Sequence, residues 1–232
     1  MNIAKALKIK LDNDRLFKGY NGEMNSEYFP DFRGTPLERA DEYRVSENIQ
    51  SLTTIECILR NRGRKIIALN FANALYAGGA YVLGADAQEE SLCRASLLYY
   101  TIRGAKRFYR TNRLRCSTFY TDGMILSENV PVIRNDSGEL LSEPFTVDFV
   151  TCPAVNRSFT LPWLKSRVNG IMERRIEKIV SFMQSRVPEV MILGAFGCGA
   201  FGNRRKDVLP LFERAINKYT DGSAEIIFAI PD

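Results

Sequence analysis

Histidine is absent from this chain of 232 residues. Its absence removes the commonest metal ligand and the usual base of a serine or cysteine triad, so aspartate and glutamate remain as the acid and base groups near neutral pH. A zinc site and a papain-like thiol enzyme are therefore disfavoured. We expect no metal and no cofactor.

Cysteine is scarce, and no long hydrophobic run occurs. The five cysteines are odd in number, widely spread and form no C-x-x-C pair, which suits reduced thiols in the cytosol. No apolar run approaches the roughly 20 residues that span a bilayer, and residues 1–11 lack the apolar core of a signal peptide. We therefore expect a soluble, cytoplasmic protein without membrane contact.

The composition fits one large folded domain. The chain is 45% hydrophobic and shows no repeat, low-complexity tract or linker, so we expect a single domain over residues 1–232. Lysine and arginine number 32 against 27 aspartates and glutamates, a net charge of +5. This excess mildly favours phosphorylated or polyanionic partners.

Apolar runs alternate with amphipathic stretches, as is typical of an α/β fold. Predicted strands occupy residues 65–70, 130–134, 147–152, 190–194 and 225–230. Predicted helices occupy residues 88–102, residues 168–187 and the segment marked by Leu209, Phe212, Ile216 and Tyr219. Residues 12–45 show no sustained period, so we expect an irregular arm there, within an N-terminal extension of residues 1–45 that packs on the domain.

A glycine-rich loop, residues 194–203, joins a predicted strand to a predicted helix. Closely spaced glycines allow backbone N–H groups to turn toward an anion. The spacing of Gly197, Gly199 and Gly202 fits the dinucleotide fingerprint, but only about 30 residues follow, too few for the rest of a Rossmann domain. The loop therefore predicts a phosphate site, with a connection that binds nothing as the alternative.

A second small-residue loop, Gly78-Gly79-Ala80, follows its own strand in the same way. Two such loops at the carboxyl ends of neighbouring parallel strands would form a cleft for a diphosphate. We therefore expect a nucleotide diphosphate ligand.

Two adjacent carboxylates, Glu89 and Glu90, come shortly after that loop, in the first turn of a predicted helix. Acidic residues commonly begin helices, so the pair alone means little. Beside a bound diphosphate, however, a carboxylic acid can protonate the leaving oxygen at a ribose anomeric carbon. Mutual repulsion and burial would raise the pKa of one of the two.

A basic run occupies residues 103–115 and contains Phe108 and Tyr109. Such a run could hold a phosphate polymer and stack on bases. A solvated helix end is the preferred interpretation, since cations also suit helix C-termini. Three further cations, residues 204–206, open a helix and either face ligand phosphates or are simply exposed.

Two separated motifs occur in a fixed order. The first comprises Leu-Asn-Phe-Ala-Asn at residues 69–73, the loop at 78–80, and Gln88-Glu89-Glu90 followed by Ser-Leu-Cys-Arg; the second is Gly-Cys-Gly-Ala-Phe at residues 197–201. With this order and spacing the chain resembles the bacterial-type poly(ADP-ribose) glycohydrolases of the macrodomain superfamily. The resemblance extends more loosely over residues 45–230.

The resemblance implies a three-layer α/β/α macrodomain-like sandwich around a central mixed sheet, with ADP-ribose in a cleft between the two glycine loops. It implies that Glu90 is the catalytic acid/base and that Glu89 helps to bind the sugar. Asn73 and Gln88 would hold the terminal ribose, and Phe201 would pack on a ribose. The implied ligand-binding residues are Asn73, Gly78, Gly79, Ala80, Gln88, Gly197, Cys198, Gly199, Ala200 and Phe201.

The leading hypothesis is a glycohydrolase that cleaves the ribose–ribose bond of poly(ADP-ribose) from chain ends and releases ADP-ribose. Its partners would be the polymer or ADP-ribosylated macromolecules. One alternative is removal of single ADP-ribose units, and another is an ADP-ribose binding module without turnover. Direct nucleic-acid binding through residues 103–115 is not favoured, because it leaves the glycine loops unexplained.

Two departures from the family pattern bear on these alternatives. The family usually has a third glycine where this chain has Ala80, and a proline where it has Ala77. An extra methyl group at position 80 would narrow the approach of the backbone to a ligand. Ala80 therefore favours the binding module, whereas the intact Gln88-Glu89-Glu90 opposes it.

Overall fold

Seven strands form one mixed sheet in the computed structural model, which describes residues 3–232. The strands are β1 (Asn25–Phe29), β2 (Ile49–Gln50), β3 (Ile66–Phe71), β4 (Met124–Arg134), β5 (Leu140–Cys152), β6 (Val190–Gly194) and β7 (Glu225–Ala229). Their order across the sheet is β1-β4-β5-β3-β6-β7-β2. β1, β4 and β5 pair antiparallel, and from β5 through β2 all pairs are parallel.

Helices cover both faces of this sheet. They are α1 (Ile3–Gly19), α2 (Thr54–Arg60), α3 (Gln88–Ala95), α4 (Leu98–Ile102), α5 (Lys106–Arg115), α6 (Val168–Ser185) and α7 (Arg205–Tyr219). The buried residues of α6 and α7 belong to one hydrophobic cluster, and those of α2 to α5 belong to another. The predicted three-layer α/β/α arrangement is confirmed.

Side-chain alternation along the central strands creates the two cores. In β3, Ile67 and Leu69 face the layer of α6 and α7, whereas Ile66 and Ala68 face the opposite layer. All four are buried because helices cover both faces, so the strand appears in the sequence as a continuous apolar run. Within residues 3–232, no helix combines the length and hydropathy that crossing a bilayer requires.

The predicted helix over residues 88–102 is wrong in one respect, because it is broken between α3 and α4. Ser96 adopts an extended conformation and forms an isolated bridge with Val132 of β4, and the Leu97 N–H donates to the Pro131 carbonyl at 3.0 Å. β1 pairs only with residues 124–128 of β4, so the second half of that edge remains open. Residues 96 and 97 leave the helical conformation because their backbone groups pair with this open edge of β4.

The predicted irregular arm over residues 12–45 is also partly wrong. α1 continues to Gly19, and β1 forms an edge strand of the sheet. Residues 30–44 carry no helix or strand, as predicted.

The inner face of α1 is anchored by a polar side chain, Asn13, which is fully buried. Its Nδ2 donates to the carbonyls of Cys93 and Arg94 at the end of α3, at 3.4 and 3.0 Å. Its Oδ1 accepts from Nε of the buried Arg134 at 3.1 Å. α1 thus holds the C-terminal end of α3 from behind.

Replacing Asn13 with alanine should lower the free energy of unfolding by about 2 to 3 kcal/mol, because buried carbonyls and a guanidinium N–H lose their partner. Urea unfolding followed by circular dichroism measures this change. Lys8→Ala, on the exposed face of the same helix, is the matched control and should stay within about 0.5 kcal/mol. Equal small effects at both positions would show that α1 does not support α3.

Candidate active site

A cavity of about 620 Å³ lies where β3, β6 and β7 end. Its wall is built from the segment after β3, the first turn of α3, the loop after β6 and the residues after β7. This is the carboxyl edge of the parallel strands, where open α/β sheets bind ligands. The predicted site residues on its wall are Asn73, Gln88, Glu89, Glu90, Gly197, Gly199, Ala200 and Phe201.

Glu89 is held by three hydrogen bonds and is only 2% exposed. Its Oε2 accepts from the N–H of Asn73 at 2.7 Å. Its Oε1 accepts from the N–H of Gly78 at 3.3 Å and from Nδ2 of Asn70 at 3.4 Å. Both oxygens of Glu89 are therefore engaged by the protein itself.

Glu90 is held by one oxygen only. Its Oε1 accepts from the N–H of Ala80 at 3.0 Å, and its Oε2 accepts no hydrogen bond within residues 3–232. Glu90 is 8% exposed and lies on the cavity wall. Of the two carboxylates, Glu90 is thus the one with an oxygen available to a bound molecule.

Glycine is required at positions 78 and 79 by backbone geometry and by close approach. Gly78 and Gly79 have φ angles of +70° and +54°, where L side chains are strained. A Cβ on Gly79 would lie 2.4 Å from Oε1 of Glu90. Ala80, by contrast, has φ −101° and ψ 31°, so alanine fits there. Position 80 therefore does not require glycine for its backbone conformation, and the expectation that the methyl group narrows the ligand cleft stays a prediction.

The cavity wall does not include residues 78–80, and the prediction that both glycine loops bind the ligand stays a prediction. The N–H groups of this loop donate to the carboxylates of Glu89 and Glu90 and to Tyr76 O. The loop does bind two carboxyl groups, but these belong to the protein itself. We call residues 73, 78 and 80 with Glu89 and Glu90 the carboxylate clamp.

Gln88 attaches the start of α3 to the end of β3. Its Oε1 accepts from the Phe71 N–H at 2.8 Å, and its Nε2 donates to the Leu69 carbonyl at 2.8 Å and to Thr54 Oγ1 at 3.2 Å. The side-chain amide of Gln88 therefore hydrogen-bonds to the backbone of β3 as a neighbouring strand would. Its main observed contacts are to the backbone of β3, and they orient the glutamates that follow.

Asn73 contributes to the clamp through its backbone and keeps its amide nitrogen free. Its Oδ1 accepts from the N–H groups of Leu75 and Tyr76, at 2.9 and 3.1 Å, which closes a turn. Its Nδ2 donates to none of the residues that the structure describes. A donor of this kind on the cavity wall suits a sugar hydroxyl.

The loop after β6 leaves a row of backbone donors unused. The N–H groups of Gly197, Gly199, Ala200 and Phe201 donate to no acceptor among residues 3–232. Gly197 has φ +72°, and its carbonyl accepts from Asn203 Nδ2 at 3.2 Å, which fixes the turn. Adjacent unpaired N–H groups just before a helix form an anion site.

Arg205, the first residue of α7, supplies the one cation of the run 204–206 that reaches the cavity wall. Arg204 pairs instead with Asp207 at 2.6 Å. The sequence left open whether this run faces ligand phosphates or is simply exposed. Of its three residues, only Arg205 lies on the cavity wall.

Phe201 lines the cavity, with its ring centroid 6.0 Å from that of Tyr120. Cys198 lies beside the cavity rather than on its wall, and burial raises the pKa of its thiol to about 11. A thiol with that pKa is a poor nucleophile near neutral pH. Cys198 is therefore not a candidate nucleophile, and its predicted part in ligand binding stays a prediction.

Residues that sequence reasoning missed complete the wall. The main ones are Thr54, Arg94, Asn135 and Asp136. Asp136 accepts from Thr53 Oγ1, and burial raises the pKa of its carboxyl. Arg94 belongs to the Ser-Leu-Cys-Arg segment of the first motif but was given no role there. The other three lie outside both motifs, and the fold brings all four to the site.

The basic run over residues 103–115 is largely α5, and its two aromatic rings are buried. Phe108 and Tyr109 belong to the core between α5 and the sheet. The expectation that they could stack on bases is therefore wrong. The cations of α5 are exposed.

Comparison with known proteins bears on this geometry. Residues 2–135 match the model of the microbial-type PARG catalytic domain, where PARG stands for poly(ADP-ribose) glycohydrolase. The chain is 34% identical to the PARG of Deinococcus radiodurans in complex with ADP-ribose, over 79% of this chain and 76% of that one, with a TM-score of 0.74. The chain belongs to the microbial-type PARG family.

A second PARG structure covers nearly the whole chain. The PARG of Thermomonospora curvata bound to the inhibitor ADP-HPD is 28% identical over 99% of this chain and 82% of that one, with a TM-score of 0.76. No curated protein matches the chain. Membership of the PARG family confirms the family predicted from the two motifs, the fold, and the prediction of a hydrolase.

Within this PARG site, burial raises the pKa of Glu89 from 4.5 to about 8. The hydrogen bonds from Asn73 and Asn70 oppose that shift, and the nearby charge of Glu90 adds to it. The expectation that one pKa of the pair would rise is met at Glu89.

This shift predicts a pH dependence of stability. Between about pH 4.5 and 8 the folded state keeps a proton on Glu89 that the unfolded chain releases, so the free energy of unfolding falls as pH rises. The slope is at most about 1.4 kcal/mol per pH unit. Glu89→Gln lacks this proton, so the stability advantage of the wild type over Glu89→Gln should shrink from pH 5 to pH 8.

Urea unfolding at the two pH values measures the change, with the exposed Glu143→Gln as the matched control. Parallel pH profiles of wild type and Glu89→Gln would contradict the assignment of the raised pKa to Glu89.

Proposed function

We propose that this protein hydrolyses the ribose–ribose O-glycosidic bond of poly(ADP-ribose) and releases ADP-ribose, with Glu90 as acid and base. One observation carries the proposal. A single cavity presents an unengaged carboxylate oxygen of Glu90 together with the unused N–H groups of residues 199–201. A ligand with a ribose joined to a pyrophosphate needs this combination.

The related structures support the same ligand class. The D. radiodurans PARG is in complex with ADP-ribose, and the T. curvata PARG is bound to ADP-HPD. Each resembles this chain over three quarters or more of its length. We infer that ADP-ribose occupies the cavity of this chain as well.

In the proposed complex the pyrophosphate rests on the N–H groups of Gly199, Ala200 and Phe201, next to the N-terminus of α7, whose dipole favours an anion. The guanidinium of Arg205 adds a positive charge there. Gly197 holds the turn, and the ring of Phe201 packs against a ribose. The amide nitrogen of Asn73 donates to a hydroxyl of the outer ribose.

The chemistry follows from that placement. Glu90 protonates the leaving oxygen at the anomeric carbon, the C–O bond breaks, and an oxocarbenium-like ribose forms. The carboxylate of Glu90 then takes a proton from a water molecule, whose oxygen adds to the anomeric carbon. The products are ADP-ribose and a polymer shortened by one unit.

Glu89 has a different role in this proposal. Both of its oxygens accept hydrogen bonds from the clamp, so neither is available to move a proton to the leaving group. Its position next to the ribose lets it orient the sugar and, through the clamp, the loop at residues 78–80. Glu89 is therefore a positioning residue.

The binding-module alternative loses its main support. It was favoured by the methyl group of Ala80, but that residue has a negative φ angle and lies off the cavity wall. Removal of single ADP-ribose units remains the competing activity, because the same cavity would accept either substrate. Assays with both substrates separate the two.

Glu90→Gln should lower the rate of ADP-ribose release from poly(ADP-ribose) by at least about a hundredfold, because an amide cannot donate a proton as an acid. Its affinity for ADP-ribose should remain within about threefold of the wild type, since one RT of binding energy changes the dissociation constant by about that factor. Chromatography of released ADP-ribose and calorimetry with ADP-ribose measure the two quantities.

Glu143→Gln makes the same chemical change at an exposed carboxylate and should retain full turnover. Each protein is also incubated with a mono-ADP-ribosylated protein. Turnover of that substrate alone would assign the competing activity, and undiminished turnover by Glu90→Gln would refute the role of Glu90.

Gly79→Ala tests the geometry of the clamp. The new methyl group would displace the Glu90 carboxylate, which lies 2.4 Å from its position, and a displacement of about 1 Å can cost a hundredfold in rate. We expect kcat/KM on poly(ADP-ribose) to fall by about that factor.

Ala80→Gly is the matched control, because it removes a methyl group from the neighbouring residue and keeps the N–H that binds Glu90. It should change kcat/KM little. Thermal unfolding of both variants separates loss of geometry from loss of fold. A larger loss of activity for Ala80→Gly than for Gly79→Ala would contradict the clamp.

A further inference from the structure

α5 carries a concentration of positive charge that the site described above does not use. Five of its ten residues are cationic, none is acidic, and all five cations are exposed. No carboxylate within residues 3–232 lies within 4.0 Å of any of them. The charge of this helix is therefore not neutralised by the protein itself.

Three of these cations lie on one side of the helix. Lys106, Arg110 and Arg113 are spaced i, i+4 and i+7, which places them on a common face. Arg107 points elsewhere, over the ring of Tyr28. We call Lys106, Arg110 and Arg113 the basic stripe.

The basic stripe is electrostatically unfavourable for the isolated protein. Like charges four residues apart repel, at a cost of about 0.2 to 0.5 kcal/mol per pair. Lys106 also occupies the first turn, where the helix dipole disfavours a cation. A solvated helix end would explain cations near the C-terminus of α5 but not at its start.

The basic stripe is joined to the carboxylate clamp. Nη1 of Arg113 donates to the Leu75 carbonyl at 2.6 Å. The N–H groups of Leu75 and Tyr76 donate to Oδ1 of Asn73, whose own N–H binds Glu89. Arg113, at one end of the stripe, therefore contacts the segment that follows Asn73 of the clamp.

Tyr76 adds an aromatic ring at this junction. Tyr76 is 63% exposed, and its backbone N–H is held in the turn by Asn73. Cations that follow a phosphate backbone, together with exposed aromatic rings for the bases, are the features with which proteins hold single-stranded nucleotide polymers.

We propose that the basic stripe and Tyr76 bind the part of poly(ADP-ribose) that remains after cleavage, on the leaving-group side of the scissile bond. The inference rests on the proposed function. When the pyrophosphate of the terminal unit lies on the loop after β6, the rest of the polymer leaves beyond the carboxylate clamp, toward residues 73–76. The stripe binds the following pyrophosphates, and Tyr76 stacks on an adenine.

The dimensions agree with this assignment. Lys106 and Arg113 are separated by seven residues, about 10 Å along the helix axis. A polymer with a pyrophosphate in every unit carries two negative charges per unit along its length. The stripe therefore gives the enzyme a preference for long chains over single units without any change in the catalytic cavity.

The experiment measures binding of fluorescently labelled poly(ADP-ribose) to Glu90→Gln, which holds the polymer without cutting it. Lys106→Gln and Arg110→Gln are combined in that background. Arg113 is left in place because it also supports the Leu75 segment. Arg214→Gln with Lys218→Gln is the matched control, since it removes two exposed cations from α7 on the opposite face of the sheet.

We expect the α5 pair to raise the Kd for the polymer about tenfold at low salt, and to reduce the slope of log Kd against log salt concentration by about 1.4, the value for two lost contacts to a single strand. Calorimetry should give the same Kd for free ADP-ribose in both pairs. The α7 pair should retain the polymer affinity of its parent.

Tyr76 is tested by Tyr76→Ala and Tyr76→Phe in the same background. Loss of stacking should weaken polymer binding about fivefold or more in the alanine variant, whereas the phenylalanine variant retains the ring and the affinity. Equal losses in both variants would assign the effect to the hydroxyl group and remove Tyr76 from the proposal.

Two results would overturn the proposal for the basic stripe. One is a polymer affinity and salt slope in the α5 pair equal to those of the α7 pair. The other is an unchanged polymer affinity combined with weaker binding of a single-stranded oligonucleotide, which would reassign the stripe to nucleic acid. Failure of the proposed hydrolysis is seen separately, as absence of ADP-ribose release by the wild-type protein.

Discussion

The geometry of the candidate site depends on holding the carboxyl groups of Glu89 and Glu90 side by side at a buried position. Repulsion and desolvation oppose this arrangement, and backbone N–H groups from residues 73, 78 and 80 offset them. The surrounding elements hold α3, which carries both glutamates, in position. Gln88 attaches the first turn of α3 to β3, and Asn13 of α1 holds the other end of that helix.

The two glycine-rich loops use one physical principle for two purposes. Both follow a parallel strand, and both present backbone N–H groups that can bind an anion or a carboxyl group. The loop at residues 78–80 is satisfied by Glu89 and Glu90, whereas the loop at 197–201 keeps its donors open. In the proposed mechanism, the first loop positions the reacting group and the second positions the substrate.

Sequence was sufficient for the family, the mixed sheet, α6 and the loop after β6, because each has a strong local pattern or motif. It was insufficient where contacts with an element far away in the sequence determine the local structure. The break at Ser96 depends on how far β1 extends along β4, and α1 was missed in part because a polar residue, Asn13, occupies its inner face. Likewise, only the fold shows that the N–H groups of residues 78 and 80 bind the carboxyl groups of Glu89 and Glu90.

The negative φ angle of Ala80 has a consequence for how such enzymes are recognised in genomes. The N–H of residue 80 binds Glu90, and its φ angle of −101° is one that residues other than glycine adopt, whereas its two predecessors have positive φ angles. A search pattern that demands three consecutive glycines would discard this chain, although it belongs to the microbial-type PARG family. Two glycines, correctly spaced before the paired acids, are the more faithful criterion.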